Sequence, residues 1–251
     1  MRLRITLWAE KSLLLPWNYQ HYLHGFLYAA VTGENPEIGT FLHEQGFAKD
    51  HHRYKFFVFS KLFPTRVRST LQGLFVSPPI LWWVASPLSP FVEALALALL
   101  KSGRVTLDKV FLYAEKVEIE APPMFAGQLL CETMSPLVTS TGTRKDTKLH
   151  KVFLSPEDPR FSVLVRKNLL RKARAFGIAD VSEEHIFFEP VGEWRSKLVT
   201  VQGTNVRGYE GRFRMEGDAR LLALAYDAGL GERNSQGFGM FRVVETLEEK
   251  M

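Results

Sequence analysis

Near its end the chain reads Gly229-Leu-Gly231-Glu-Arg233-Asn234-Ser235-Gln-Gly237-Phe-Gly239, four glycines in eleven residues. Glycine allows close backbone approach and positive φ, so such a loop can turn several N–H groups toward a phosphate. The Lys-Ser/Thr pair of a Walker loop is missing, and the apolar helical pattern precedes the loop instead of following it, which excludes the dinucleotide fingerprint. The insert Arg233-Asn234-Ser235 is polar and long for a plain connector. A second phosphate-seeking feature lies upstream. Between Ser155 and Gly177 the helical spacing of 100° per residue brings Arg160, Lys167, Arg171 and Arg174 within about 60° of one another, roughly opposite Phe161, Val165, Leu169 and Phe176. No acid follows Asp158 inside that stretch, so i,i+4 ion pairs do not account for the basic side. Arg144 to Arg174 holds ten Lys or Arg against three acids, a local excess of +7 in a chain whose net charge is +5, so the rest carries −2. Positive charge gathered in this way is the footprint of a polyanionic partner.

Three polar residues stand off the apolar stripes of the first half. Tyr28 lies about 180° from the stripe of Tyr19, Tyr22, Leu23, Phe26, Leu27 and Ala30, with His21 and His24 flanking that polar side. His43 lies off the face made by Ile38, Phe41 and Leu42, and Lys55 opens the next strand-like run. His43-Glu44 does not begin a zinc HExxH motif, because Phe47 occupies the place of the second histidine. His51-His52 read as part of a charged, solvated turn. The single cysteine, Cys131, cannot pair within the chain and leaves no Cys-rich metal site, which fits a reducing, cytoplasmic setting.

The elements that must hold these residues follow a repeated order. Arg2–Trp8 alternates as a strand. Helical patterns start at Asn18 and Asn35, strands are expected at 54–60, 69–76 and 80–84, a helix at 89–102 and a strand at 105–120. After Ala121-Pro-Pro123 the order returns: a strand over 128–139, a helix from Ser155 to Gly177, extended stretches at 186–190, 197–202 and 211–215, a helix at 218–228 and a strand at 240–246. Setting aside the short helix after Asn35, each half reads β-α-β-β-α-β. The fold class is therefore α+β, two tandem ferredoxin-like domains over residues 1–122 and 123–251. Pro78, Pro79, Pro87 and Pro90 interrupt the weakly charged stretch 74–100, so no membrane span is expected, and MRLRITLWAE shows no long apolar leader.

Taken in order, MRLRITL, LPWNYQHYLHGFLY, NPEIGTFLHEQG, YKFFVFSKL and GLGERNSQGFGM resemble the CRISPR-associated endoribonucleases of the RAMP superfamily, along the whole chain. The resemblance implies two RNA-recognition-motif-like domains and metal-independent cleavage of precursor CRISPR RNA within the repeat, leaving a 2′,3′-cyclic phosphate and a 5′-hydroxyl. No cofactor is implied. Some members use a Tyr, His and Lys set, and Gly25-Phe-Leu-Tyr28, Leu42-His43-Glu44 and Lys55-Phe-Phe57 occupy the matching places, with Lys49 as a second candidate lysine. On this reading Tyr28, His43 and Lys55 are catalytic, while Gly229, Gly231, Arg233, Asn234, Ser235, Gly237, Gly239, Arg160, Lys167, Arg171 and Arg174 bind RNA. Cleavage needs a base for the 2′-hydroxyl, an acid for the leaving 5′-oxygen and positive charge at the phosphorane; which of Tyr28 and His43 is base and which acid stays open at this level. The expected partners are precursor and mature repeat RNA, with CRISPR effector subunits and a homodimer left open. A catalytically silent RNA-binding subunit of an effector complex is the alternative.

Overall fold

The computed structural model describes residues 1–145, 148–201 and 203–247. Its first half is an antiparallel sheet whose main strands lie in the order Phe63–Ser69, Gly73–Ala85, Arg2–Trp8, Val110–Glu120, with Arg104–Leu107 at the far edge and Leu13–Pro16 beside the start of Gly73–Ala85. Helices α1 (Tyr19–Glu34) and α3 (Ser89–Ser102) lie side by side and are buried against one another, and α2 (Pro36–Glu44) packs on α1. α1 buries Tyr19, Leu23, Leu27 and Val31, one residue in four, which is the stripe its sequence announces. Pro36 occupies the first turn of α2, and the Asn35 side chain accepts from the Ile38 N–H at 3.1 Å, so the helix starts where its caps dictate. Along Arg2–Trp8, Leu3, Ile5 and Leu7 face the helices, and Ile5 sits in register with Trp82 on one side and Val117 on the other.

The second half repeats the plan. Strands Ile186–Val201, Thr204–Gly217, Gln128–Thr133 and Phe241–Leu247 lie in that order, and helices α4 (Arg160–Phe176) and α5 (Ala219–Ala228) join the same apolar core. Cys131 is fully buried between Phe213 and Val243 on its neighbouring strands. In both sheets the spatial order is second, third, first, fourth of the strand set, the ferredoxin-like arrangement.

Several elements differ from the sequence expectation. The expected strand at 69–76 is split, Ser69 ending Phe63–Ser69 and residues 70–72 turning. Residues 73–76 and 80–84 are one strand, Gly73–Ala85, because its partner slips register between Pro64 and Arg66, opposite Pro78 and Pro79, and pairing resumes beyond. Likewise 186–190 and 197–202 form one long strand with a register shift between Val191 and Arg195, while Gln202 lies outside the described residues. Of the expected strand at 54–60 only Val58–Phe59 joins the main sheet, and Lys55–Phe57 belong to no strand. The strand from Gln128 stops at Thr133, and α4 begins at Arg160 instead of Ser155. A hairpin, Ser140–Lys145 with Lys148–Phe153, has no counterpart in the sequence reading.

The two halves share a packed boundary. Val58, Ala85, Met134 and Met240 form a small core of their own between them, and Gln20 Nε2 donates to the Gly237 carbonyl at 3.2 Å. Arg2, only 1% exposed, donates from the first strand to the carbonyls of Tyr226 (2.6 Å) and Phe241 (2.9 Å) and lies 3.4 Å above the Tyr226 ring. Phe56, from the first half of the sequence, is buried in the core of the second.

Candidate active site

α1 carries Tyr28, the end of α2 carries His43, and the irregular segment after Tyr54 carries Lys55; packing brings the three together. The Tyr28 and His43 rings meet edge to face with centroids 5.3 Å apart, and Lys55 Nζ donates to the His43 carbonyl at 2.9 Å. His24 approaches the other side of Tyr28 at 5.0 Å, and Phe57 backs it at 5.4 Å. Lys49 lies instead in the small hairpin Phe47–Tyr54, paired across it with His52.

Tyr28 does not stand free of the core, as the helical arithmetic places it. It is half-buried against the N-terminal core because α2 and Phe57 cover that side of α1. Burial pushes its hydroxyl up to about 12, so it stays a phenol near neutrality. His24 is pushed down to about 4, by burial first and then by His21 and His43, and is a neutral imidazole. Burial, with Arg53 nearby, lowers Lys55 from the usual lysine value. His43 is exposed.

Beside this set a cleft of about 700 Å³ opens between the halves. Lys55, Arg171, Gly231, Arg233, Asn234 and Ser235 all border it, joined by Lys151, Lys172, Arg53 and His52. Its charged lining is cationic apart from Glu232, whose carboxylate is taken up by Ser140 (N–H 2.9 Å, Oγ 2.7 Å) and Lys151 (2.7 Å). The remaining residues of the expected basic rail lie elsewhere. Arg160 is held by Asp158 at 2.6 Å, Lys167 lies 3.7 Å from Glu183, and Arg174 donates to the Val181 carbonyl at 3.3 Å. Acids outside the helix interior, invisible to an i,i+4 count, thus answer two of these cations. Arg171 instead meets Nε2 of His52 at 3.0 Å across the domain boundary.

The glycine loop is built differently from an open phosphate cradle. Gly229, Gly231, Gly237 and Gly239 are buried, and the N–H groups of Gly229, Gly237 and Gly239 donate to Ala225, Asn234 and Pro136 at 2.8, 3.0 and 2.9 Å. A Cβ on Gly237, whose φ is +87°, would lie 2.6 Å from the Phe59 ring, so glycine here lets the loop seat on the first half. The part turned outward is residues 232–236. What shapes it is Lys172, 3% exposed, whose Nζ donates to the carbonyls of Gly229 (2.7 Å) and Gly231 (2.9 Å) and to Asn234 Oδ1 (2.6 Å). Asn234 in turn donates to Leu230 and Phe238 carbonyls at 2.8 and 3.0 Å. The sequence reading missed Lys172, although its signal is present: it falls in the middle of the apolar stripe of α4, where a lysine needs a reason.

Among the described residues no three His, Cys, Asp or Glu side chains gather as a metal ion would require, and no helix is long and apolar enough to cross a membrane. The family models described as the N-terminal and C-terminal parts of the CRISPR-associated protein Cas6 match residues 14–118 and 119–243. The CRISPR-associated endoribonuclease Cas6 of Pyrococcus furiosus is 31% identical over 246 residues, covering 93% of this chain and 85% of that protein. The CRISPR-associated endoribonuclease Cas6 1 of Methanocaldococcus jannaschii is 27% identical over 252 residues, covering 100% and 95%. A solved structure of a CRISPR-associated protein Cas6 superposes with a TM-score of 0.80 at 27% identity, covering 98% of this chain and 99% of the other. Two ferredoxin-like halves and matches along nearly the whole chain lead to one conclusion: the protein belongs to the Cas6 family of CRISPR-associated, RAMP-type endoribonucleases.

Proposed function

We propose that this protein cuts precursor CRISPR RNA within its repeat without a metal ion, by attack of a 2′-hydroxyl on the adjacent phosphate. The observation that carries this reading is the meeting of Tyr28, His43 and Lys55, from three separate segments, at the edge of a cationic cleft. The 2′-oxygen forms a bond to phosphorus, the bond to the 5′-oxygen breaks, and a cyclic phosphate and a 5′-hydroxyl result. Because Tyr28 is a phenol near neutrality, its part is that of donor to the leaving oxygen. The exposed imidazole of His43 takes the 2′ proton, and passing a proton on to the Tyr28 phenolate afterwards restores both groups. Lys55 stabilises the negative charge that grows on the phosphorane oxygens. Arg233, Ser235 and Arg171, which border the cleft, hold the strand by its phosphates. Repeat RNA, before and after cutting, is the partner on this reading, and the cytoplasm is the compartment.

Incubation with repeat RNA in EDTA, followed by mapping of the ends, tests this. Cleavage with a 5′-hydroxyl product is expected, and His43→Ala should slow single-turnover cleavage by about 10²- to 10⁴-fold while leaving RNA affinity unchanged. Activity abolished by EDTA and restored by a divalent cation overturns the metal-free reading, and a wild-type rate in His43→Ala overturns the assignment of that residue. Tight binding of repeat RNA with no cleavage in any condition assigns the silent, RNA-holding role instead.

A further inference from the structure

Lys55 hangs from a piece of backbone that both halves of the protein grip. The four residues after it are all buried and go to three different cores: Phe56 to that of the second half, Phe57 and Phe59 to that of the first, and Val58 to the small core between them. Phe56 has a φ of +49°, a conformation that side chains other than glycine rarely take and that persists only where the surroundings over-determine it. Here they do. Its ring packs against Phe47 (5.0 Å), Phe176 at the end of α4 (5.1 Å) and Tyr54 (5.8 Å), and its carbonyl accepts from Ser86 Oγ at 2.6 Å. One residue on, Phe57 stacks on Phe91 at 4.7 Å and meets Tyr28 edge to face. One residue back, the Lys55 side chain runs over Gly46, where a Cβ would lie 3.1 Å from its Cδ, to reach the His43 carbonyl.

We propose that Phe56 is a positioning residue for cleavage: seated against Phe176 in the core of the second half, it fixes the backbone that aims Lys55 at the site in the first. The inference rests on the reading of Lys55 given above and adds that the RNA-gripping half sets the geometry of the catalytic one. With the anchor loosened, Lys55 samples orientations away from the reacting phosphate, and chemistry slows while the cationic walls of the cleft still hold RNA.

The test uses the full chain and four variants, Phe176→Ala, Phe56→Leu, Lys55→Ala and the double variant Phe176→Ala/Lys55→Ala, with Phe188→Leu as a control that disturbs the same core through Phe161 and Phe213 without touching Phe56. Single-turnover cleavage of repeat RNA gives the rate, and binding of a repeat made uncleavable by a 2′-deoxy nucleotide gives affinity. Phe176→Ala and Phe56→Leu should cleave at least tenfold more slowly with affinity within twofold of wild type, and Phe188→Leu should cleave normally. In the Lys55→Ala background Phe176→Ala should add less than a twofold loss, since the residue it positions is already gone. Normal cleavage by both Phe variants, or losses that multiply in the double variant, overturns the proposal while a slow Lys55→Ala leaves the reading of the site standing. If Lys55→Ala itself cleaves at the wild-type rate, both fall.

Discussion

Lys172→Met keeps the length of a buried side chain and removes its three hydrogen bonds. Each buried acceptor left without a donor costs about 1–3 kcal/mol, so the carbonyls of Gly229 and Gly231 and Asn234 Oδ1 together represent roughly 3–9 kcal/mol. Against this, methionine carries no charge to desolvate. Burial, only partly offset by Glu232 and reinforced by Arg171, pushes Lys172 from 10.5 down to about 7. At about 1.4 kcal/mol per pKa unit the ammonium therefore costs the folded wild type on the order of 5 kcal/mol below pH 7. Between about pH 7 and 10.5 the unfolded chain binds the proton that the folded chain has released, so wild-type stability rises with pH across that window, by up to about 1.4 kcal/mol per unit. The variant has no such group. Near pH 6 the two effects largely cancel and the variant should be close to wild type; at pH 9 it should be less stable by roughly 2–3 kcal/mol more than at pH 6. Urea unfolding of both proteins at pH 6, 7.5 and 9 measures the difference directly. A difference that does not change with pH would refute the argument, because it would mean that the three acceptors keep Lys172 an ammonium throughout.

Two further outcomes separate residues that the sequence groups together. Arg171→Ala should reduce the slope of log affinity against log salt by about 0.7, the share of one phosphate contact on a single strand, whereas Arg160→Ala, outside the cleft and held by Asp158, should leave the slope unchanged; equal effects would return the whole basic side of α4 to the RNA site. Gly237→Val should lower the melting temperature by several degrees, through its positive φ and the Phe59 ring, while Gly33→Ala, with open space at the Cβ and a place inside α1, should be neutral or stabilising by up to about 1 kcal/mol; the opposite order in a thermal melt would contradict the packing described for the loop.

What the sequence disclosed is what periodicity and local chemistry can encode. The repeated β-α-β-β-α-β order is legible because each helix has its own stripe and caps, as Asn35-Pro36 shows for α2. Tyr28, His43 and Lys55 could be selected by type and place, but not how they meet: the half-burial of Tyr28 comes from α2 and Phe57 folding over it, contacts spanning many residues. The basic side of α4 was legible as charge and misleading as a surface. Asp158 and Glu183, outside the helix interior, draw Arg160 and Lys167 away, and only Arg171 turns to the cleft. The glycine loop showed its flexibility on paper, yet its glycines serve contact with Phe59 and its own turns, a use that depends on the opposite half. Pro78-Pro79 predict a strand break from the sequence, because a single strand cannot reveal the register shift in its partner that accommodates them.

The burial of Arg2 bears on the order in which the molecule comes together. Its two carbonyl acceptors lie 224 and 239 positions further along the chain, in the last helix and at the start of the last strand. Until those segments exist, a charged side chain on a central strand of the first sheet has only Glu120, 3.7 Å away on the neighbouring strand, and water to answer it, and its hydrogen bonds to the second half are unmade. Closing so long a loop is entropically slow, and the reward comes only at the end. The seam between the halves is therefore closed only when the final turn of α5 and the strand beginning at Phe241 are in place, which ties the start of the chain to its last two elements.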